Sequence, residues 1–287
     1  MNRDILTVIQ ENMSTFSKGQ KRIASYILES YDKAAFMTAS KLGKTVNVSE
    51  STVVRFASEL GYDGYPDMQK SLQKMIRNRL TSVQRIEVSY DRIGDQDVLT
   101  SVLQSDIEKI RLTLEEMDHQ SFDSAVDAIV KARKIYIIGV RSAASIATFL
   151  HFYFNLIFDN VVMVAATTAS EVYEKLIKVG EEDVVIGVSF PRYSSSTVRA
   201  MRFARDQGAT TIAITDSEAS PLAPISAITL KARSDMASFV DSLVAPLSLV
   251  NALLVAVSRK KEEELAHTFH KLEKIWDEYG VYEKVQD

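Results

Sequence analysis

The sequence predicts an all-α helix-turn-helix domain followed by an α/β domain built on a doubly wound, five-stranded parallel sheet. Residues 2–80 carry apolar stripes at helical spacing and no strand of usable length. From Ser121 onward, short β-branched runs alternate with helical stretches, the pattern of a parallel sheet covered on both faces. Between the two, residues 81–96 lose periodicity, and Ser89-Tyr90-Asp91-Arg92-Ile93-Gly94-Asp95 has the composition of a linker. Domains are therefore expected over 1–80 and 97–287, joined by 81–96.

Taken in order, Ile5, Val8, Ile9 and Met13 mark a first amphipathic helix, and Ile23, Ile27 and Leu28 a second. A short helix with Ala39 and Leu42 inward then meets a tight turn at Val46-Asn47-Val48. The next helix opens on Ser49 as its cap and closes at Gly61. Its Val53, Phe56, Ala57 and Leu60 fall at the spacing that packs inward, leaving Glu50, Ser51, Thr52, Arg55 and Glu59 outside. Small hydroxyl residues on a first turn, with an arginine one turn later, suit a helix that reads the major groove. On this reading Ser49, Ser51, Thr52 and Arg55 face base edges of double-stranded DNA, and Lys41 and Lys44 meet phosphates. A structural helix pair with a solvated face is the alternative. Residues 1–80 hold 12 Lys/Arg against 8 Asp/Glu (+4), and the remainder 22 against 30 (−8), a weak nucleic-acid footprint. A further helix after Tyr65-Pro66 buries Met68, Leu72, Met75 and Ile76 and carries Lys70, Lys74, Arg77 and Arg79 on its polar side. Another is expected over 98–117, with Val102, Leu103, Ile107, Ile110 and Leu114 as its stripe.

Strands are expected at 135–139, 161–165, 184–189, 210–215 and 227–230. Ligands of such sheets sit beyond the carboxyl ends of the strands. Two of the segments reaching that edge pair an arginine with serines: Gly139-Val140-Arg141-Ser142 and Pro191-Arg192-Tyr193-Ser194-Ser195-Ser196-Thr197. A helix start presents unpaired amides and the positive end of its dipole, and arginine forks onto phosphate or carboxylate. The expected contacts of an anion are Arg141, Ser142, Ser189, Arg192, Ser194, Ser195, Ser196 and Thr197, with Glu171 at the same edge. Capped helices with solvated loops are the alternative, and Arg141 could instead pair with Glu171 or Asp216. The stretch 239–258 is apolar almost all round and must be covered by the domain or by a second subunit.

Several classes are excluded or disfavoured. There are no cysteines, hence no disulfides, thiolate zinc sites or cysteine nucleophiles. No histidine or carboxylate cluster has metal-ligand spacing, and no cofactor is implied. The N-terminus lacks a signal-peptide pattern. Two uncharged runs, 142–158 and 242–258, approach membrane length, but His151 and Asn155 interrupt one and Pro246 and Asn251 the other. Buried helices explain both better than a bilayer, and the cytoplasm is the expected compartment. An enzyme would need a base, for which Glu171 or His151 could be proposed; His151 lies among Phe149, Leu150, Phe152 and Tyr153, where a core role fits better.

With these residues laid out, the chain resembles the MurR/RpiR family of bacterial transcription regulators over nearly its whole length. The marks are Val48-Ser49-Glu50-Ser51-Thr52-Val53-Val54-Arg55-Phe56 with Leu60-Gly61-Tyr62, then Gly139, Ser142 and the run from Asp183 to Ser189 with the hydroxyl loop behind it. The resemblance implies a sugar isomerase (SIS) domain with flavodoxin-like strand order, sensing a sugar-phosphate or acidic-sugar effector. It also implies operator DNA and a homodimer or tetramer. Departures stand at the sensor: Pro191-Arg192 replaces the family's usual Ser-Gly, Ser194 its threonine, and Arg141 its second glycine. Pro191-Arg192 and Arg141 put bulk and positive charge where a phosphate would lie. A phosphosugar isomerase is the competing reading, because related domains are catalytic.

Overall fold

A computed structural model of the chain describes residues 5–76, 81, 83–87, 97–165, 168–235 and 240–283. The chain divides into two compact units: Met1–Val102 with Met236–Asp241, and Leu103–Asp235 with Ser242–Asp287.

The first unit is helical: α1 (Ile5–Glu11), α2 (Lys18–Glu29), α3 (Tyr31–Ala34), α4 (Ala39–Thr45), α5 (Glu50–Glu59) and α6 (Tyr65–Ile76). Ser17 starts α2 through a reciprocal capping box with Gln20, satisfying two otherwise unpaired amides. Ile9, Ile23, Ile27, Leu42, Val53, Phe56 and Leu72 form one buried apolar cluster. Tyr65 and Gln69 of α6 both donate to the carbonyl of Met37, at 2.7 Å each, tying α6 to the segment before α4. Burial pushes the Tyr65 phenol up to about 12. Arg77 and Arg79 lie outside the described residues. Within the stretch expected as a linker, residues 83–87 are helical and Arg85 is buried against Asp241 at 2.8 Å. Five residues are too few for a periodic stripe to show in sequence.

The second unit holds the sheet, whose elements follow α7 (Val98–Glu115) and α8 (His119–Lys131). In chain order they are β1 (Lys134–Gly139), α9 (Ala143–Ile157), β2 (Val161–Met163), α10 (Ala169–Leu176), β3 (Asp183–Val188), α11 (Ser195–Asp206), β4 (Thr210–Thr215), β5 (Ile228–Lys231), α12 (Val244–Lys260) and α13 (Glu262–Glu278). All five strands are parallel, in the order β2-β1-β3-β4-β5. The pleat sends alternate residues to opposite faces. Ile135, Ile137, Val184, Ile186, Ile212 and Ile214 pack with α8, α9 and α12. Tyr136, Ile138, Val185 and Ala213 pack with α10 and α11 on the other face. At the end of β1, a Cβ on Gly139 would stand 2.8 Å from the Ala143 carbonyl oxygen, so only glycine lets α9 begin this close to the strand.

Two expectations about helices are corrected. The apolar stripe of α7 points outward: Leu103, Ile107 and Leu114 are 54%, 66% and 68% exposed. Its polar face is the buried one. Lys109 donates to Ser105 Oγ (2.8 Å) and Asp106 Oδ1 (3.1 Å), Ser242 donates to the same Asp106 oxygen, and Thr113 Oγ1 accepts from the Arg233 amide. Hydrogen bonds, not apolar burial, decide which side of α7 faces its own unit. Likewise α12 starts at Val244 rather than 239, and Val255 on it is 59% exposed in the single chain.

Candidate functional site

On the helical unit, α4 and α5 form the helix pair. Thr38 caps α4 and Ser49 caps α5, each accepting from the amide three residues on. The turn between them closes with Val48 N donating to the Gly43 carbonyl at 2.9 Å, and Asn47 takes φ 55°. A Cβ on Gly43 would lie 2.9 Å from the Val48 oxygen, a backbone clash that glycine avoids. Arg22, a residue not singled out from sequence, donates to the Asn47 carbonyl at 3.3 Å and braces this turn from α2. Val53, Phe56 and Ala57 are fully buried and Leu60 is half-buried against them. Lys41, Lys44, Ser49, Ser51 and Arg55 are exposed, and Thr52 is half-buried. The Ser49 hydroxyl lies 2.9 Å from that of Ser51 and 2.8 Å from that of Thr52, so the three share one hydrogen-bonded cluster at the start of α5. Arg55 Nε reaches back to the Ser51 carbonyl at 3.3 Å, which lays its side chain along the helix toward that cluster.

The second site is at the carboxyl edge of the sheet. β1 and β3 are neighbours with Gly139 opposite Val188, so their loops leave the sheet side by side. Each loop carries an arginine in the left-handed backbone region: Arg141 at φ 58° and Arg192 at φ 63°. That conformation costs an L-residue roughly 1–2 kcal/mol and is ordinarily glycine's. Both side chains are exposed. Ser194 caps α11 by accepting from Thr197 N, and Ser189 Oγ accepts from Ser194 N at 3.2 Å. Ser195 is exposed and Ser196 half-buried on the first turn. Thr197 is fully buried, and its hydroxyl has no hydrogen-bond partner among the described residues.

Two expected members of this edge behave differently. Ser142 stands at the cap position just before α9, but it has helical dihedrals and makes no side-chain cap. Its hydroxyl is exposed at the crevice. Glu171 lies on the first turn of α10, its amide held by the Thr168 hydroxyl, which is the arrangement the helix dipole favours. His151 is half-buried on α9, where burial holds its imidazole below the ordinary range, and Asn155 packs its amide against the ring. Sequence reasoning missed the link between Tyr193 and Asp216: the phenol donates to Asp216 Oδ1 at 2.6 Å and joins the loops after β3 and β4. A tyrosine beside a cap serine is the only signal for it in the sequence. Among the described residues no three His, Cys, Asp or Glu side chains are grouped as metal ligands, and no helix is long and apolar enough to cross a membrane.

A family model described as "Helix-turn-helix domain, rpiR family" matches residues 3–79, and one described as "SIS domain" matches residues 128–256. The chain belongs to the rpiR family. Among curated relatives of this rpiR-type chain is HexR of Escherichia coli, named an HTH-type transcriptional regulator, 27% identical over 267 residues (90% of this chain and 89% of that one). An HTH-type transcriptional regulator of Caldanaerobacter subterraneus subsp. tengcongensis is 25% identical over 266 residues, 91% of this chain and 93% of that one. The sugar isomerase domain of an RpiR transcription factor from Sphaerobacter thermophilus superposes with a TM-score of 0.60 at 27% identity, covering 62% of this chain and 99% of that one. The fold is also shared with Vibrio vulnificus NanR, solved in complex with ManNAc-6P: TM-score 0.59, 22% identity, 96% of this chain and 98% of that one.

A buried hydroxyl without a partner is destabilising unless something else uses it. Replacing Thr197 by the isosteric valine is therefore expected to raise the stability of the ligand-free protein by about 1–2 kcal/mol in urea unfolding.

Proposed function

We propose that the chain is a DNA-binding transcriptional regulator of carbohydrate metabolism genes whose SIS domain binds an anionic sugar. Residues 1–80 read operator DNA, 81–96 join the parts, and 97–287 sense the effector. One observation carries the effector half: two arginines in glycine-like backbone conformations, on adjacent loops, beside a helix start with an unpartnered buried hydroxyl. Arg141, Ser142, Ser189, Arg192, Ser194, Ser195, Ser196 and Thr197 are its proposed contacts, with Glu171 at the rim. A protein of this fold was solved with ManNAc-6P, which supports a phosphorylated sugar; the two arginines equally suit an acidic sugar. The geometry does not favour the isomerase reading. Glu171 sits where a helix-start carboxylate sits anyway, and Asn155 occupies the ring of His151.

Lys41, Lys44, Ser49, Ser51, Thr52 and Arg55 are the proposed DNA contacts. Arg55→Ala is expected to relax sequence choice and cost on the order of 1–3 kcal/mol on the operator. Lys41→Ala and Lys44→Ala should weaken every sequence alike and each flatten the salt dependence. Gel shifts on DNA upstream of the protein's own gene measure all three; unchanged affinity throughout would remove this face from the assignment.

For the effector, a thermal-shift screen of sugar phosphates and acidic sugars should reveal a ligand. A hundredfold excess over its dissociation constant stabilises the fold by about 2.7 kcal/mol. Arg192→Ala should weaken that ligand about tenfold or more and leave effector-free DNA binding intact. The sugar should be recovered without isomerisation, whereas turnover lost in Glu171→Gln would make the chain an enzyme.

Operator reading by paired helices calls for a homodimer or tetramer. The outward stripe of α7 supports this: Leu103, Ile107, Ile110 and Leu114 follow the alternating four- and three-residue spacing of a helix–helix seam. Since Ile107 is 66% exposed, Ile107→Glu should leave the fold intact. Sedimentation velocity should then show a smaller species than wild type.

A further inference from the structure

We propose that Tyr193 is a positioning residue for effector binding, setting where Arg192 stands through its bond to Asp216. This rests on the reading of the crevice as the effector's anion site, and it concerns how one guanidinium of that site is held.

The loop over 189–194 is pinned at its base. Ser189 N donates to the Ile214 carbonyl (3.1 Å), Thr215 Oγ1 donates to the Ser189 carbonyl (2.8 Å), and Ser194 N closes the loop onto Ser189 Oγ. None of these bonds reaches the tip, where Arg192 takes φ 63°. The strain there belongs to the Cβ of arginine and would be relieved by relaxation to a right-handed conformation. Such a relaxation would turn the Cα–Cβ bond, and with it the guanidinium, away from its present direction.

The phenol of the next residue opposes that relaxation. Tyr193 spans from the tip to the loop after β4, where its phenol donates a hydrogen bond to Asp216 Oδ1 at 2.6 Å. The acceptor is itself fixed. Asp216 is 5% exposed, Ser217 Oγ donates to its other oxygen (3.2 Å), and Thr215, which precedes it, is locked to Ser220 at 2.8 Å. A short bond from a phenol to a carboxylate is charge-assisted and among the stronger side-chain contacts. It therefore anchors one side of the strained residue to the end of a central strand. Tyr193 belongs to none of the apolar clusters of the sheet unit and is half-buried. Losing its hydroxyl thus removes a tether without opening the core.

The test uses the full-length protein and inorganic phosphate as the probe, with binding measured by calorimetry. Thermal unfolding without phosphate monitors the fold. Tyr193→Phe is expected to weaken phosphate about tenfold while unfolding stays near wild type. Asp216→Asn, which keeps an acceptor oxygen but loses the charge, should fall between wild type and Tyr193→Phe, and Asp216→Ala should match Tyr193→Phe. Glycine at 192 accepts the left-handed backbone without strain and removes the charge. Adding Tyr193→Phe to Arg192→Gly should therefore weaken phosphate no further than Arg192→Gly alone. A further loss of similar size would show that Tyr193 acts independently of Arg192 and would overturn the proposal. Wild-type affinity in Tyr193→Phe would also overturn it and leave the anion site standing. Should Tyr193→Phe fail to fold, the cycle of Asp216→Ala with Arg192→Gly decides by the same criterion. Absence of phosphate binding to the wild type would overturn both the site and the brace.

Discussion

A parallel strand ends in backbone groups its ladder no longer uses, and the helix that follows opens with amides that have no carbonyl behind them. Five parallel strands place all of these ends on one edge, and the rest of the sheet unit is arranged around that constraint. Ser194 and Thr168 settle part of it locally by capping α11 and α10. What capping leaves over is a cluster of donors facing outward between β1 and β3. The arginines in this chain extend the cluster at a cost in backbone strain, so the edge is more cationic than amides alone would make it.

The helical unit meets a related constraint by close approach. α4 and α5 cross through a turn in which no atom can be added at Gly43, and Arg22 fixes the carbonyl of the left-handed Asn47. Because the turn is rigid, the hydroxyl cluster at the head of α5 and the lysines of α4 keep a fixed relation to one another. Tyr65 and Gln69, converging on a single carbonyl, extend the same rigidity to α6.

Much of this was legible in the sequence because it follows from period and capping. Near-continuous apolar runs along β1, β3 and β4 announce a sheet covered on both faces, and Val53, Phe56 and Ala57 announce which side of α5 is inside. The caps at Ser49 and Ser194 follow from residue type. The features that escaped are those in which distant polar groups find one another. Periodicity assigns the apolar face of α7 to the core, yet Asp106 and Thr113 are claimed by Ser242 and Arg233, far along the chain. Arg85 looks like linker until Asp241 is brought against it. Tyr193 reads as one more loop residue until the sheet places β4 beside β3. Ser142 has the residue type of a cap, but helical dihedrals at its position deny it that role. Pairing across long sequence separations has no local signature.

The outward stripe of α7 has a consequence for anyone weighing the stability of this chain. Leucine and isoleucine held in water forgo the transfer free energy that folding usually collects, on the order of 1.5–3 kcal/mol for each side chain. In the homo-oligomer proposed above, a second copy of the chain would supply the covering surface by mass action, and the melting temperature would rise with protein concentration. Dilution would then act as a denaturant, and two laboratories working at different concentrations would be measuring different molecules.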